Sequence, residues 1–360
     1  MENKEKQSIE KQYRNKITLI SFILATLVVI RHACNYKIYK LDGFFLKVQY
    51  FTTFLTDIAV PTFFILSGYL FYVSFKYSTL LSKWKKRFFS ILIPYLIWSL
   101  ISYLYYLVLS SIPAISVYLK SNRIEFSMKD MLLSILTGKY TIFWFLQNLM
   151  FYIVVGPIFY LVLKNKHIGY IPTLFTLIIG FILNHFKVME YVEVEGVKWL
   201  LNGELHSYFS LYLLGAYLGA NFKDKIINVK FKKTHCIISL VLIGIICFLR
   251  VMINDYATKI FSLYFIIMAI QSILLWVGLD FLRVDNCWRV FNNSFFIYCT
   301  HALILEAVEK VFLILFKNTV MGAMIDFVFA PIITLSIIIL LSYVLKKYFP
   351  KLEKILCGGR

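Results

Sequence analysis

Charged residues are scarce in this sequence. Asp, Glu, Lys and Arg make up only 16% of its 360 residues, whereas hydrophobic residues make up 60%. Together with a mean hydropathy of +0.75, this composition excludes an ordinary soluble globular domain. Because a helix of about 20 apolar residues spans a bilayer core, the chain has room for about ten such helices and for no sizeable domain outside the membrane.

Cysteines are also few, and their spacing fits neither a metal site nor a disulfide framework. The six cysteines form no C-x-x-C pair and no zinc-type spacing with histidine, so we expect no disulfides and no bound metal. The ending Cys357-Gly358-Gly359-Arg360 does not match a prenylation signal. Neither an A-x-A cleavage site nor a lipobox precedes Cys34, so we expect the first helix to remain as a signal anchor.

The sequence has no internal repeat, no low-complexity tract and no Pro-rich or Ser-rich linker. The longest segment between apolar runs, about 111–139, is too short for a folded domain. We therefore predict an all-α fold, a polytopic membrane helix bundle. It would have a cytoplasmic segment at 1–16, a transmembrane domain at 17–346 and a cytoplasmic tail at 347–360. Any catalysis must then occur among the helices.

Apolar runs predict ten membrane helices, an even number that puts both termini on the same side of the membrane. We expect that side to be the cytoplasmic one. The runs lie near 17–35, 52–75, 88–110, 140–163, 168–186, 205–221, 236–254, 260–279, 291–316 and 324–345.

Acidic residues are half as many as basic ones, 19 against 38, and the net charge is +19. This excess is compatible with binding to nucleic acid, with anionic lipid or with cytoplasmic loops. In the predicted topology most Lys and Arg residues lie in inner segments, whereas Glu190 to Glu204 forms an acidic outer loop. The charge thus indicates topology, and the expected partner is the lipid bilayer and no nucleic acid. Richness in Ile, Lys, Phe and Tyr is typical of AT-rich bacterial genomes, which favours a bacterial plasma membrane.

Ionisable residues inside membrane helices are costly and are therefore functional candidates. In the predicted topology nearly all of them lie in the outer half of the membrane, which predicts a site open to the outside. The alternative is that rim charges reach the interface and that helix histidines bond to neighbouring carbonyls, an interpretation we favour for two of the histidines. The candidates are Arg31, His32, Asp57, His185, Glu204, His206, His301, Glu306 and Glu309, with His185 and His206 as the two favoured exceptions.

His32 is the strongest catalytic candidate. A neutral imidazole suits the removal of a proton from a sugar hydroxyl at neutral pH. By its predicted depth, Asp57 is the nearest acidic residue that could orient or stabilise this imidazole, and their pairing is a hypothesis. Arg31 could stabilise a developing oxyanion or anchor to lipid head groups.

Several short motifs follow one another along the chain. They are the apolar run Val28–His32, the P-x-F-F-x-x-S-G-Y signature at Pro61–Tyr69, the basic and Pro-Tyr segment Lys85–Trp98, the W-F-L at Trp144–Leu146 and the Y-x-x-H at Tyr298–His301. Together they resemble the acyltransferase 3 family of integral membrane O-acyltransferases. Motifs of this family spread over most of the chain.

The resemblance implies that an acyl group, commonly acetyl, passes from cytoplasmic acyl-CoA to a hydroxyl of a cell-surface polysaccharide or its lipid-linked precursor. It implies that His32 is the catalytic histidine. Acyl-CoA would be a donor substrate, so no bound cofactor is expected. A polysaccharide synthase complex is a possible partner.

The sequence departs from the family pattern at two expected arginines. The family commonly has an arginine eleven residues before the catalytic histidine, and this chain has Ser21 there. The family also often has an Arg-x-x-Arg motif, of which this chain keeps the first arginine, Arg87, and has Ser90 in place of the second. These arginines look like groups that bind CoA phosphates. Either the basic run Lys83, Lys85, Lys86 and Arg87 holds the phosphates, or the chain no longer uses CoA. The alternative interpretation of this basic run is a topology signal.

Three further features have two interpretations each. Trp144 could stack on a sugar ring, although the membrane-interface aromatic belt is favoured. Tyr298 and His301 could act chemically or fix helix packing. The small-residue spacing of Gly215 and Gly219 favours close helix packing over an acyl-chain tunnel.

Two other classes of function remain open. A glycan or lipid transporter, or a flippase, uses the same kind of scaffold, but the paired interrupted helices of inverted repeats are not seen in the sequence. A non-catalytic partner of a polysaccharide synthase is the other class, and the serines at Ser21 and Ser90 favour it.

Overall fold

The computed structural model describes residues 2–35, 39, 41–112, 126–188, 200, 202–253, 261–316 and 319–359. All long regular elements in these ranges are helices, and none of these residues forms a strand, which confirms the all-α prediction. Most of the predicted acidic loop Glu190 to Glu204 lies outside the described residues.

The α-helices in chain order are α1 Glu2–His32, α2 Gly43–Thr56, α3 Ala59–Tyr72, α4 Leu80–Arg87, α5 Ile93–Ser111, α6 Met128–Thr137, α7 Trp144–Val155, α8 Tyr160–Leu163, α9 Ile171–His185, α10 Gly203–Asn221, α11 Lys223–Asn228, α12 Lys233–Met252, α13 Phe261–Gly278, α14 Ser294–Phe316, α15 Val320–Tyr348 and α16 Pro350–Leu356.

The first two predicted helices have different bounds in the structure. Helix α1 starts within the predicted cytoplasmic segment and ends at His32. The predicted second helix is a pair, α2 and α3, with Asp57 as the C-terminal cap of α2. The break has a local cause: Pro61 has no backbone N–H to donate to the carbonyl of Asp57 four residues earlier, and its ring crowds that carbonyl.

A second proline perturbs the following segment. A π-helical turn at Phe88–Leu92 joins α4 to α5, and Pro94 stands at the start of α5. Because Pro94 cannot donate to the carbonyl of Ser90, the ordinary hydrogen-bond ladder is interrupted there.

Six helical segments among the described residues are long and apolar enough to cross a membrane, and two more apolar helices are shorter. Helices α10 and α14 are not among these eight; α10 is rich in Gly, Ser and Tyr, and α14 carries His301, Glu306, Glu309 and Lys310. The count of ten spans and the cytoplasmic termini stay predictions. The six are Gln7–His32, Gly43–Tyr72, Tyr77–Ser111, Trp144–Leu163, Lys233–Met252 and Val320–Tyr348, and the two shorter ones are Ile171–His185 and Leu263–Gly278.

The chain divides into two compact units. The first unit consists of 1–31, 42–80 and 151–292, and the second unit consists of 32–41, 81–150 and 293–360.

In the first unit α3 and α10 pack backbone against backbone. A Cβ atom added to Gly215 would lie 1.9 Å from the carbonyl oxygen of Ile65, and one added to Gly68 would lie 2.0 Å from that of Tyr212. Only glycine permits so close an approach, so the packing interpretation of Gly215 and its neighbour Gly219 is confirmed.

A buried ionic cluster closes one end of the first unit. Lys16, which is fully buried, contacts Oδ1 of Asp280 at 2.7 Å and lies over the Trp276 ring at 3.9 Å. Arg283 contacts the same oxygen at 2.7 Å, and the backbone N–H of Phe231 donates to Oδ2 at 2.8 Å. The carboxylate thereby joins α1, the segment before α12 and the end of α13.

In the second unit α14 packs along α15, and the C-terminal tail folds back onto α5. The indole N–H of Trp98 donates to the carbonyl of Leu356 at 3.1 Å. Gly358, at φ +65°, packs against Ser90: an added Cβ would lie 2.4 Å from the Ser90 carbonyl oxygen. The tail therefore lies on the π-helical turn whose hydrogen bonding Pro94 interrupts.

Candidate active site

His32 is the last residue of α1 and opens the second unit. Its side chain is exposed, whereas His301 on α14 is fully buried. The two imidazole ring centroids are 5.3 Å apart, with 48° between the ring planes. The structure thus brings together two residues that were predicted from separate motifs.

Backbone contacts define the tautomer of His301. Its Nδ1 lies 2.8 Å from the carbonyl oxygen of Tyr298 and 3.1 Å from that of Ile297. Both oxygens can only accept, so the proton of the neutral ring is on Nδ1 and the lone pair is on Nε2. Nε2 is buried and has no hydrogen-bond partner within the described part of the chain. His301 therefore presents a buried acceptor close to His32.

Aromatic residues of the W-F-L segment support this histidine pair. The Tyr298 ring lies 5.9 Å from His301, 5.9 Å from Phe143 and 5.7 Å from Phe145, measured between centroids. Its hydroxyl donates to the carbonyl of Ile142 at 3.2 Å. Two motifs that are about 150 residues apart thus form one surface, and this contact explains why both contain aromatic residues.

The Pro-Tyr segment of α5 extends the same cluster. The ring of Tyr95 lies 6.1 Å from that of Phe143, and its hydroxyl donates to the Leu136 carbonyl at 2.9 Å and accepts from the Gln147 side chain at 2.8 Å. Trp144, between the two phenylalanines in sequence, is 42% exposed. This exposure is compatible with the aromatic belt and with stacking on a sugar ring, so both interpretations stay predictions.

Asp57 lies in the first unit, between two arginines. Its Oδ1 contacts Nε of Arg31 at 3.0 Å, and its Oδ2 contacts Arg250 at 3.4 Å. Arg250 is buried and lies over the Phe54 ring at 4.1 Å. The hypothesis that Asp57 pairs with His32 stays a prediction, and the carboxylate already has two cationic partners. Sequence reasoning missed Arg250, although it is the one charged residue of α12 beyond its first position.

A second buried acid was also missed, and this one belongs to the same unit as His32. Asn35, three residues beyond His32, donates to Oδ2 of Asp326 at 2.8 Å and to the Ala323 carbonyl at 3.2 Å. Both polar side chains are buried, and the Tyr39 hydroxyl also interacts with the Asp326 carboxylate. The signal was available, since Asp326 is the one charged residue of α15 before the lysines at its end.

The predicted donor-binding residues occupy two places. Lys83 and Arg87 are half-buried and one helical turn apart on α4, hence on one face, while Lys86 is exposed. Ser90 is buried beneath the tail. Ser21 is half-buried in the part of α1 that belongs to the first unit. The role of these residues in donor binding stays a prediction.

Other ionisable candidates have structural partners. The imidazole Nε2 of His206 lies 2.8 Å from the Leu200 carbonyl oxygen, as the alternative interpretation predicted. The His185 ring stacks on Phe181 at 5.5 Å. The carboxylate of Glu306 accepts from the Tyr106 hydroxyl and contacts Lys310 at 2.7 Å. No cluster of three His, Cys, Asp or Glu side chains suited to a metal ion occurs in the ranges that the structure describes.

Fold and site define a multi-pass helical membrane protein with a histidine pair, His32 and His301, supported by the aromatic residues of the W-F-L segment. The chain belongs to the acyltransferase 3 family, because the family's acyltransferase domain matches residues 14–345, nearly its whole length. Acyltransferase activity in general follows from this membership. No curated protein and no solved structure is significantly similar to the chain.

Proposed function

We propose that this protein is a bacterial plasma-membrane O-acyltransferase. It would transfer an acyl group, with acetyl as the expected one, from cytoplasmic acyl-CoA to a hydroxyl of a cell-surface polysaccharide or its lipid-linked precursor. The observation that carries the proposal is the pair of an exposed His32 and a buried His301, 5.3 Å apart between ring centroids. Family membership supplies the reaction class.

In this proposal His32 is the general base. One imidazole nitrogen of His32 removes the proton of the acceptor hydroxyl while the hydroxyl oxygen forms a bond to the thioester carbonyl carbon. The carbon–sulfur bond then breaks, and the leaving CoA sulfur takes up the proton. The chemistry suits imidazole, because its pKa in water is near neutrality. A direct transfer and a covalent intermediate are both compatible with this role.

His301 would orient His32. Because the proton of His301 is on Nδ1, its buried Nε2 lone pair can accept an N–H from a neighbouring ring. If Nε2 of His301 accepts a hydrogen bond from one N–H of His32, the other nitrogen of His32 keeps its lone pair and can act as the base. Hydrogen-bond acceptors fix the tautomer of other catalytic histidines in the same way.

The donor would be held through its phosphates by the basic face of α4. Lys83 and Arg87 share one face, and Arg87 occupies the first position of the family's Arg-x-x-Arg motif. Arginine and lysine satisfy phosphate oxygens by charge-assisted hydrogen bonds. This arrangement would bind CoA with Arg87 as the one arginine at the positions of the family pattern, because Ser21 and Ser90 occupy the other two.

Base-labile acyl groups on the cell-surface polysaccharide test the proposal. A deletion strain is complemented with the wild-type protein, with His32→Ala or with His206→Ala as a matched histidine control, and released acyl acids are measured. We expect the wild type and the control to restore the esters and His32→Ala to leave them at the level of the deletion strain. Identical ester content in all strains would refute the enzymatic function and favour a transporter or a silent synthase partner.

A further inference from the structure

An apolar cavity of about 410 Å³ lies within the first unit. Side chains of α1, α3, α10, α11 and α13 form its walls, among them Tyr13, Leu66, Tyr69 and Trp276. Its volume is within the range of about 300–1,000 Å³ that small-molecule sites occupy. The proposed acyl transfer uses none of these residues.

Two buried phenols face each other in this cavity and make no hydrogen bond of regular geometry with the described residues. The Tyr13 and Tyr69 rings are 6% and 4% exposed, and their centroids are 6.5 Å apart. The two hydroxyls interact with each other, but neither makes a hydrogen bond of regular geometry with any residue that the structure describes. Buried hydroxyls without regular hydrogen bonds are costly, so an acceptor oxygen of a ligand beside the two phenols would stabilise them.

The other hydroxyls that line the cavity are already satisfied. The Thr62 hydroxyl contacts the Ile58 carbonyl at 2.7 Å and the Ser272 hydroxyl at 2.9 Å, and Ser272 donates to the Met268 carbonyl at 2.7 Å. These groups therefore need nothing further from a ligand. This wall accepts a hydrocarbon chain without leaving a polar group unpaired.

The chain segment 223–233, which contributes part of the cavity wall, carries an excess of positive charge. Lys225 lines the cavity and is exposed, and Asp224 beside it is the one acidic residue of the segment 223–233. Among the charges nearby, the Arg283 guanidinium lies 6.0 Å from the Tyr13 ring and is paired with Asp280. A surface of this sign attracts anionic lipid head groups. The lysines of the segment are Lys223, Lys225, Lys230, Lys232 and Lys233.

We propose that this cavity binds an anionic phospholipid of the surrounding membrane. One acyl chain of the lipid occupies the apolar interior beside Leu66, its glycerol-ester or phosphate oxygens accept hydrogen bonds from Tyr13 and Tyr69, and Lys225 attracts its negative head group. The walls belong to five helices, so the bound lipid holds α1 and α11 against α3. This site does not depend on the proposed reaction.

Lipid binding by the purified full-length protein tests the proposal. The protein in mixed micelles is titrated with phosphatidylglycerol or with phosphatidylcholine of the same acyl chains, and bound lipid is measured by native mass spectrometry and by thermal unfolding. We expect tighter binding and a higher melting temperature with phosphatidylglycerol. The double variant Tyr13→Phe/Tyr69→Phe, which keeps the cavity volume, should bind about tenfold more weakly.

Two further variants locate the site. Leu66→Trp fills the cavity and should abolish the preference for phosphatidylglycerol, whereas Tyr348→Phe, an exposed tyrosine on α15, should bind like the wild type. Should Leu66→Trp fail to fold, the double phenylalanine variant decides alone. Equal binding of both lipids, unchanged binding in the double variant, or a free fatty acid as the one retained molecule would each overturn the proposal.

Discussion

Asn35 donates a hydrogen bond of 2.8 Å to Asp326, and this bond fastens the end of α1 to α15 three residues beyond His32. Ala33 packs in the same place, in a small apolar cluster with Leu305 and Ala330. His32 itself is exposed and is therefore not positioned by burial of its own. We therefore expect the orientation of its imidazole to depend on these neighbours and on His301.

The first prediction separates a positioning role of Asp326 from a role of its charge. Asn35→Ala leaves the Asp326 carboxylate without its amide donor, so we expect kcat for acyl transfer to fall about tenfold with little change in KM. Asp326→Asn keeps an acceptor for Asn35 and should stay within about threefold of the wild type. The matched control is Asn15→Ala, which removes amide hydrogen bonds to the Val284 and Asp285 carbonyls from the middle of α1. Full activity of Asn35→Ala would show that this bond does not position His32.

The second prediction tests the lone pair of His301. In His301→Asn the amide nitrogen can replace Nδ1 at the Ile297 and Tyr298 carbonyls, but nothing replaces Nε2. We expect the protein to insert normally and to lose about 10²-fold in acyl transfer, the lower end of the range for acid–base groups. His301→Gln, whose amide reaches the Nε2 position, should recover part of the activity.

Tyr298→Phe is the control for the histidine test, because it removes one hydroxyl bond to Ile142 and leaves the aromatic packing unchanged. Its activity should stay near that of the wild type. If His301→Asn is as active as Tyr298→Phe, His301 only fixes helix packing.

The third prediction concerns the buried arginine beside Asp57. Asp57→Asn leaves Arg250, 3% exposed at its side chain, without a carboxylate, and we expect a loss of about 3–5 kcal/mol in unfolding free energy. The double variant Asp57→Asn/Arg250→Met removes both charges and should regain most of this loss. Unfolding in detergent is the measurement, with Asp130→Asn as the control, since its pair with Lys139 is exposed and worth under about 1 kcal/mol.

The same double variant tests the sequence-based pairing of Asp57 with His32. If Asp57 serves the arginines only, the stable double variant transfers acyl groups like the wild type. A double variant that is stable and inactive would instead support a catalytic role for Asp57.

Much of this architecture follows from periodicity and local chemistry. Apolar runs predicted the helices, and the positions of Pro61 and Pro94 explain where helices are interrupted, because each proline removes a hydrogen bond to the carbonyl four residues earlier. Gly215 predicted close helix contact because only a missing Cβ permits it. These features are local, so a single sequence carries them.

Pairing between distant helices could not be predicted in the same way. Nothing in the sequence connects His32 with His301, or Asp57 with Arg250. The residues of the second pair are more than 190 positions apart. A residue's predicted depth in the membrane does not by itself tell which helix packs beside it. The helical N-terminal segment was also missed, since residues 2–16 are polar and their helix is held by tertiary bonds such as that of Lys16.

The fourth prediction concerns the C-terminal tail. Gly358→Ala places a Cβ 2.4 Å from the Ser90 carbonyl oxygen, so the tail must detach, whereas Gly359→Ala has the same sign of φ and no contact closer than 4.0 Å. Cys357, 5% exposed, reports the change. We expect maleimide labelling of Cys357 to be at least about tenfold faster in Gly358→Ala than in Gly359→Ala. Equal labelling rates would contradict the packing of the tail on Ser90.

The fifth prediction is the pH dependence that Asp280 imposes on stability. Although burial opposes ionisation, hydrogen bonds from Arg283 and Lys16 hold the pKa of the Asp280 carboxyl below its ordinary value of 3.8. A carboxyl with a lowered pKa in the folded protein stabilises the fold fully above its ordinary pKa, and this contribution is lost as the pH falls through the folded pKa. Stability should therefore decline on acidification below about pH 4.

Asp280→Asn removes that ionisation, so its unfolding free energy should be lower at neutral pH and should change less between neutral pH and about pH 3. Leu275→Ala, a buried residue of α13, is the matched control, because it lowers stability through a cavity and should run parallel to the wild type at every pH. Thermal unfolding of the three proteins across this range decides the matter. If the Asp280→Asn profile is parallel to that of the wild type, the ionic cluster at Lys16 does not stabilise the fold through the charge of Asp280.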